Sequence, residues 1–327
     1  MSRGRKTVRI VSLGSALQDT YLVDRADFAA AELNGHSIFA KLEIGSKVDI
    51  DRVQYLVGGG GTNSATSFAR HGHEAIFLGN IGRDPAGQTV LQQLAAENIN
   101  HNFVAYAPRQ HTGCSTILLD AKTGERTILT HRGAAHKFDN LDPHLLDTIR
   151  PDWLYITTLG GDLDTLRSFC KTAKSVNAQI MLNPGVLELQ QSQKLLKIVN
   201  QYVDILLVNK SEAAMLVPGQ ILTELLARLG NYLNIAIITD GSMGAIATNH
   251  EETYRFGIYE DVKIKDTTGA GDAFGSGFLA HYAAGYSFRQ SLIFGAANST
   301  SVVQKLGAKA GILTGQESLH PMPIQRL

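Results

Sequence analysis

A chain of 327 residues is long enough for one large α/β domain, or for one domain with a small appendage. Lys+Arg and Asp+Glu each number 30, so no net field draws it to nucleic acid or to an anionic membrane. Two cysteines, Cys114 and Cys170, exclude a disulfide framework or cysteine metal cluster, and no apolar run reaches a membrane span or a signal-peptide core, so the chain reads as cytoplasmic.

Residues 8–13 form a short apolar run that stops at Gly14, the pattern of a buried strand entering a loop. From 19 to 57 the pattern changes to period-two alternation, at 47–50 and 53–57, with Gly35 and Gly45 as breaks. Exposed antiparallel strand is expected there. Four glycines, Gly58 to Gly61, precede Thr62, Asn63 and a helical spacing of Ala65, Phe68 and Ala69 that ends at Gly72. A flexible linker accounts poorly for glycines set directly between a strand and a helix start, whereas close approach of backbone to a ligand accounts for them well. Asn63 reads equally as a helix cap or as a ligand contact.

Residues 75–81 read as strand, 82–87 as a turn and 88–97 as helix. The runs at 115–120 and Arg126–His131, joined through Gly124, read as a hairpin. With the strands before Gly58 they predict a small β unit apart from the main sheet. After Trp153 the alternation is regular: strands at 154–157, Gln179–Leu182, 204–208 and Ile235–Thr239 are separated by helices at 163–176, 187–200 and Leu222–Leu229. Repeated βα units of this kind predict a parallel sheet covered on both faces. A hairpin at 248–259 follows, then a glycine loop and helix at 266–278. Ser287 and Gln290 form a capping box for a last helix, and the tail from Gln316 is expected on the surface.

The chemistry concentrates in the run Asp266-Thr267-Thr268-Gly269-Ala270-Gly271-Asp272. Its glycines permit a tight turn into a helix whose first N–H groups are unpaired, a site suited to phosphate. Asp272, in the first turn, either compensates the helix dipole or accepts a proton from a hydroxyl while the amides hold the arriving phosphoryl group. Asn209 and Glu212 share one helical face, either as a cap with its third-position partner or as oxygens orienting water on Mg²⁺. Thr239, Gly241 and Gly244 suit nucleotide phosphates or a plain turn. There is no GxxxxGK[ST]; Gly275 to Ala280 fits GxGxxA only inside a helix; and the eleven histidines include no HExxH.

These motifs, in this order, resemble the ribokinase-like carbohydrate kinases of the PfkB family over nearly the whole chain. Asp266 to Gly277 resembles its C-terminal signature; Gly58, Gly59, Asn63, Gly72, Gly79, Gly82, Asp84 and Gly87 resemble its N-terminal one. Asn209 with Glu212 and Thr239 with Gly241 and Gly244 supply the two elements between. The resemblance implies one kinase domain over 1–327: a three-layer α/β fold with a mainly parallel central sheet covered by helices, plus a small β lid from about 19–57 and 103–131. It implies Asp272 as general base and the amides of Gly269, Ala270 and Gly271 as the anion hole. Asn209 and Glu212 are implied to position hydrated Mg²⁺, and Asn209, Thr239, Gly241, Gly244 and Asn298 to contact ATP. Asp19, Gly59 and Asn63 are implied to bind the acceptor. Asp266 and Thr268 resemble the start of a monovalent-cation (K⁺) site, with carbonyls of Gly307 and Gly311 contributing.

The sequence departs from the ribose-specific pattern, which has Lys where Gly60 stands and a Glu after the strand at 154–157. Tyr21 and Arg132, on the lid and rim, are candidates to meet an acidic sugar, a sugar phosphate or a nucleobase. The expected activity is ATP-dependent phosphorylation of a primary hydroxyl on a small sugar or sugar derivative. A nucleoside kinase of the same family is the alternative, and a non-catalytic sugar or nucleotide sensor a more remote one. The unpaired edges of the lid strands predict a homodimer through them.

Overall fold

The computed structural model describes residues 6–24, 32–34, 37–39, 45, 47, 49–120, 126–259 and 262–327. The hairpin turn at 121–125, the break at Gly35 and Val48 in the expected alternation lie outside the described residues.

The short apolar runs become neighbouring strands of one sheet. Glu74–Leu78, Arg9–Leu13, Trp153–Ile156, Gln179–Leu182, Ile205–Asn209 and Ile235–Thr239 lie side by side in parallel. Antiparallel Ala245–Thr248, Thr253–Phe256 and Ile324–Arg326 extend the sheet at its far edge. The strands are largely apolar because alternate residues enter separate cores. Val11, Leu154, Ile180 and Leu206 pack with helices Leu163–Ser175, Ser192–Tyr202 and Leu222–Leu229. Ile10, Tyr155, Met181 and Leu207 pack on the opposite face with Gly60–Arg70, Pro85–Ala96, Ala270–Ala283 and Phe288–Val303. This is the three-layer arrangement expected from repeated βα units.

A second sheet of four strands stands apart, in the order Arg126–His131, Gly113–Asp120, Leu17–Asp24 and Arg52–Gly58. Its outer pairs are antiparallel, but the central pair, Leu17–Asp24 with Gly113–Asp120, is parallel, which corrects the all-antiparallel expectation. Nor is it exposed on both faces. Tyr21, Val23, Ile117 and Leu119 form a small apolar cluster with Leu56 and Leu306, while Tyr55 and Leu129 stay exposed.

Four further expectations change. Asn63 is not a cap: the helix begins at Gly60 behind Gly59, which places Asn63 inside its first turns. The helix expected at 187–200 is two, Val186–Leu189 and Ser192–Tyr202; between them Gln191 donates its side-chain amide to the Gly161 carbonyl at 2.7 Å. The tail is not merely surface, since Ile324–Arg326 pairs with Thr253–Phe256 and Met322 is buried against the core. The strand at 75–81 breaks at Gly79 into Glu74–Leu78 and Asn80–Ile81.

Candidate active site

The carboxyl ends of the parallel strands open onto adjoining hollows. One of about 620 Å³ is lined by Asn209, Thr239, the turn from Asp240 through Gly244, Ala270, Gly271 and Thr300. Another of about 260 Å³ is lined by Asn209, Glu212, Thr239 and the run Gly269, Ala270, Gly271 and Asp272. The shared residues Asn209, Thr239, Ala270 and Gly271 make them one groove, at the place where open α/β sheets bind ligands. A third hollow of about 600 Å³, lined by Tyr259, His320 and Pro321, continues it past Ile258 and Thr300.

The glycine run forms as its sequence requires. Gly269 precedes helix Ala270–Ala283 with φ 76°, a left-handed conformation costly for any residue with a side chain, and a Cβ there would sit 2.3 Å from that of Ala308. The helix start faces the groove, with Gly271 exposed and Asp272 half-buried in its first turn. First-turn N–H groups and the positive end of the helix dipole give this wall its affinity for anions.

Behind Asp272 lies a group of side chains drawn from distant parts of the chain. Asn63 donates its amide to Asp272 Oδ2 at 2.9 Å, while its own Oδ1 is buried with no partner. Asp19 is buried on strand Leu17–Asp24, tight against the end of strand Arg52–Gly58: a Cβ on Gly58 would lie 2.0 Å from its Oδ2. Lys309, only 6% exposed, donates to the Val57 carbonyl and to Thr62 Oγ1, the latter at 2.8 Å. Burial raises the carboxyl of Asp272 above its ordinary range, against the pull of Asn63 and Lys309. Burial likewise raises Asp19, opposed by Ser115 and Lys309. Burial pushes the Lys309 ammonium down to about 7, opposed by Asp19 and Asp272. Two carboxylates and one ammonium thus meet at and behind the groove wall, each costly to charge alone and supported by the others.

Lys309 had no signal in the sequence. Its segment, Gly307-Ala308-Lys309-Ala310-Gly311, drew attention only for the Gly307 and Gly311 carbonyls, and the bonds of Lys309 to the Val57 carbonyl and Thr62 Oγ1 turn the lysine inward. Asp266 and Tyr21 formed another unforeseen pair. Tyr21 is fully buried and donates its hydroxyl to Asp266 Oδ2 at 2.8 Å, so it is not a rim residue. Arg132 is exposed. Asp266 does not offer a free carboxylate beside Thr268. Its Oδ1 accepts the Thr268 N–H at 2.9 Å and its Oδ2 also accepts the Gly307 N–H at 3.0 Å.

Asn209 and Glu212 form a complete capping box. Asn209 Oδ1 accepts the Glu212 N–H at 2.9 Å and Glu212 Oε2 accepts the Asn209 N–H at 2.8 Å, which fixes both side chains at the groove wall. Burial raises the Glu212 carboxyl, opposed by its bonds to Asn209. Thr239 ends its strand, and Gly241 and Gly244 shape the turn that floors the larger hollow. Asn298 is not brought to this groove. It is fully buried, donates to the Ala273 carbonyl at 2.7 Å and accepts the Leu313 N–H at 2.8 Å. Gly59 lies at the glycine junction with φ 98°, where a Cβ would meet the Ser15 carbonyl oxygen at 2.5 Å. The loop after strand Trp153–Ile156, where the expected Glu is missing, is held by Glu188, whose Oε1 accepts the N–H groups of Leu159 at 2.6 Å and Gly161 at 2.9 Å.

A doubly covered parallel sheet, an anion-binding helix start and a carboxylate held beside it define a phosphotransferase-like α/β protein. The sequence model of the pfkB family carbohydrate kinases matches residues 30–314, and the chain belongs to that family. It is 28% identical to a ribokinase of Haemophilus influenzae over 82% of this chain and 87% of the relative. It is 25% identical to a nucleoside kinase of Methanocaldococcus jannaschii over 87% of this chain and 91% of the relative. The solved structure of Arabidopsis thaliana ribokinase complexed with ribose and ATP superposes with a TM-score of 0.73, covering 93% of this chain and 95% of that one at 22% identity.

Proposed function

We propose that this protein is an ATP-dependent kinase that phosphorylates a hydroxyl, a primary alcohol by preference, of a small sugar or sugar derivative. The observation that carries the reading is Asp272, set in the first turn of an anion-binding helix and held by Asn63. In this reading the acceptor lies against Asp19 and Asn63, whose unpaired Oδ1 takes a substrate hydroxyl. Asp272 accepts the proton as the hydroxyl oxygen attacks the γ-phosphorus; the bond from that phosphorus to the bridging oxygen breaks and ADP leaves. The amides of Gly269, Ala270 and Gly271 bear the phosphoryl charge during transfer. Lys309 keeps the buried carboxylates charged for their tasks.

Thr239 and the Gly241–Gly244 turn hold the donor phosphates, and the hollow past Thr300 is the place for the base of the nucleotide. Asn209 and Glu212 are the oxygens placed to hold Mg²⁺ through water, and the ion would supply neutralisation of phosphate charge. The four-stranded sheet acts as a lid of one kinase unit, excluding water from the acceptor. The reading places the protein in the cytoplasm, with its ATP supply; recovery of the native protein in a membrane fraction would contradict that.

The deciding test is ADP release with a panel of pentoses, hexoses, acidic sugars, sugar phosphates and nucleosides. A sugar or sugar derivative is expected to raise the rate well above the ATPase background. A response to nucleosides alone would replace this reading by a nucleoside kinase, and no response to any acceptor would favour a sensor. The exposed Val53, Tyr55 and Leu129 of the lid strands support a homodimer through the small sheet. A monomer mass by light scattering at micromolar concentration would contradict it.

A further inference from the structure

After strand Trp153–Ile156 the chain turns through a loop built around an anion of its own. Glu188 lies in the short helix Val186–Leu189 and is only 1% exposed. Besides the N–H groups of Leu159 and Gly161 on Oε1, its Oε2 accepts the N–H of Gly185 at 3.0 Å, and Thr158 Oγ1 donates between the two oxygens, 3.1 Å from each. Gly160 and Gly161 are left-handed, with φ 69° and 85°, which turns the N–H groups of Leu159 and Gly161 onto one oxygen. Backbone N–H groups converging in this way form a nest for an anion, and Glu188 fills it.

The other contacts of the loop lead toward Asn63. Thr157, directly before Thr158, is 4% exposed and closes against the glycine junction: a Cβ on Gly60 would lie 3.0 Å from its Cγ2, and one on Gly14 1.9 Å from its Oγ1. Gly60 opens the helix Gly60–Arg70, which presents Asn63 to Asp272. On its far side the loop meets the segment after strand Arg126–His131, where a Cβ on Gly160 would lie 2.5 Å from the His136 carbonyl oxygen. Stability alone would explain one acceptor for one buried N–H. One carboxylate that gathers four donors from two loops, beside the residues assigned to the acceptor, does more than that.

We propose that Glu188 is a positioning residue for the acceptor: it fixes the loop 157–161, and through Thr157 the junction at Gly60 and the helix turn that carries Asn63. The donor walls, at strands Ile205–Asn209 and Ile235–Thr239, stand two and three places further along the sheet, so loss of Glu188 falls on the acceptor and spares the nucleotide. The role rests on the kinase reading, so the test joins rates to a measurement that needs no turnover.

Glu188→Ala removes the equivalent of one acetate and leaves four donors facing a gap. Its KM for the acceptor is expected to rise about tenfold or more, with KM for ATP within about twofold of the wild type. Sodium acetate at tens of millimolar, compared with sodium chloride at equal ionic strength, is expected to return part of the loss. It is also expected to raise the melting temperature of the substrate-free variant by about 1–2 °C, with neither effect in the wild type. Glu188→Gln keeps the shape but turns one oxygen into a donor facing N–H groups, so its acceptor KM should fall between the two. An equal rise in both KM values, an unchanged acceptor KM, or a Glu188→Ala protein indifferent to acetate would overturn the proposal. Should Glu188→Ala fail to fold, the same pair of KM values in Glu188→Gln decides. If no acceptor yields ADP, the kinase reading fails and the positioning role with it, while the acetate-dependent melting still decides whether the loop depends on this carboxylate.

Discussion

The two ends of the groove are built in opposite ways. The proposed donor end, from Thr239 through Gly244 and from Gly269 through Gly271, is shaped mainly by glycine turns and helix N–H groups, with the side chains of Asn209, Glu212 and Thr239 beside them. The proposed acceptor end, behind Asp272, is side chain: Asp19, Asn63 and Lys309, buried and gathered from strand, helix and loop far apart in the chain. A backbone wall needs no charge of its own and costs little to desolvate. A cluster of buried charges is costly, and each member depends on the rest. In the proposed reading, phosphate binding and acceptor binding thus call on different physics within one site.

Asp272 stands at the seam, and changing it should give the largest effect. Asp272→Asn keeps the shape and removes the proton acceptor, so kcat is expected to fall about 10²–10⁴-fold with ATP binding retained. Stability should move the other way. The folded pKa of Asp272 lies above its unfolded value, so its stabilising contribution is present at low pH and is lost as pH rises through the folded pKa. At neutral pH the charged carboxylate is a cost, and the variant should melt about 1–2 °C higher. Retained turnover in ADP-release assays with the true acceptor would remove Asp272 from the chemistry.

Lys309→Met tests whether the acceptor end works as a unit. Without the ammonium, burial dominates Asp272 and Asp19, and their carboxyls rise further. The expected result is a loss of about 10–100-fold at neutral pH, part of it regained at higher pH, as the acid limb of the kcat/KM profile shifts upward. A profile that keeps its acid limb would separate Lys309 from the two carboxylates.

The sequence made these two ends unequally legible. Backbone sites leave a local trace, because the φ of 76° at position 269 and the contact of any Cβ there with Ala308 favour glycine, and a capping box needs its two residues at fixed spacing, as at Asn209 and Glu212. The parallel sheet was legible for a similar reason, since period-two burial on both faces writes continuous apolar runs. Side-chain clusters leave no such trace. Nothing local distinguishes Lys309 from a solvated lysine, Tyr21 from a rim residue, or the Ile324–Arg326 edge strand from a surface tail; each is decided by a partner distant in the chain, 247 and 245 residues away for the two side chains and in Thr253–Phe256 for the strand. The parallel pairing of Leu17–Asp24 with Gly113–Asp120 was hidden for the same reason.

Gly58 separates the two kinds of building most cleanly. It is a glycine, yet it serves the acceptor end by leaving room for Asp19 Oδ2. Gly58→Ala should therefore raise KM for the acceptor about tenfold, with KM for ATP unchanged, as steady-state kinetics varying each substrate would show. An equal rise in both would mean that the change disturbs the helix start behind the whole groove.

The smallest expected effect is at the opposite end. Thr239→Val removes one hydroxyl from a wall shaped mainly by glycine turns, so the donor loses a single neutral hydrogen bond, about 0.5–1.5 kcal/mol. That corresponds to a rise in KM for ATP of about two- to tenfold, with kcat and the acceptor KM unaltered, because the amides that act on the phosphoryl group stay in place. A fall in kcat without a change in KM for ATP would instead place the Thr239 hydroxyl on the transferring group. The division between a backbone donor end and a side-chain acceptor end would then have to be redrawn through Thr239.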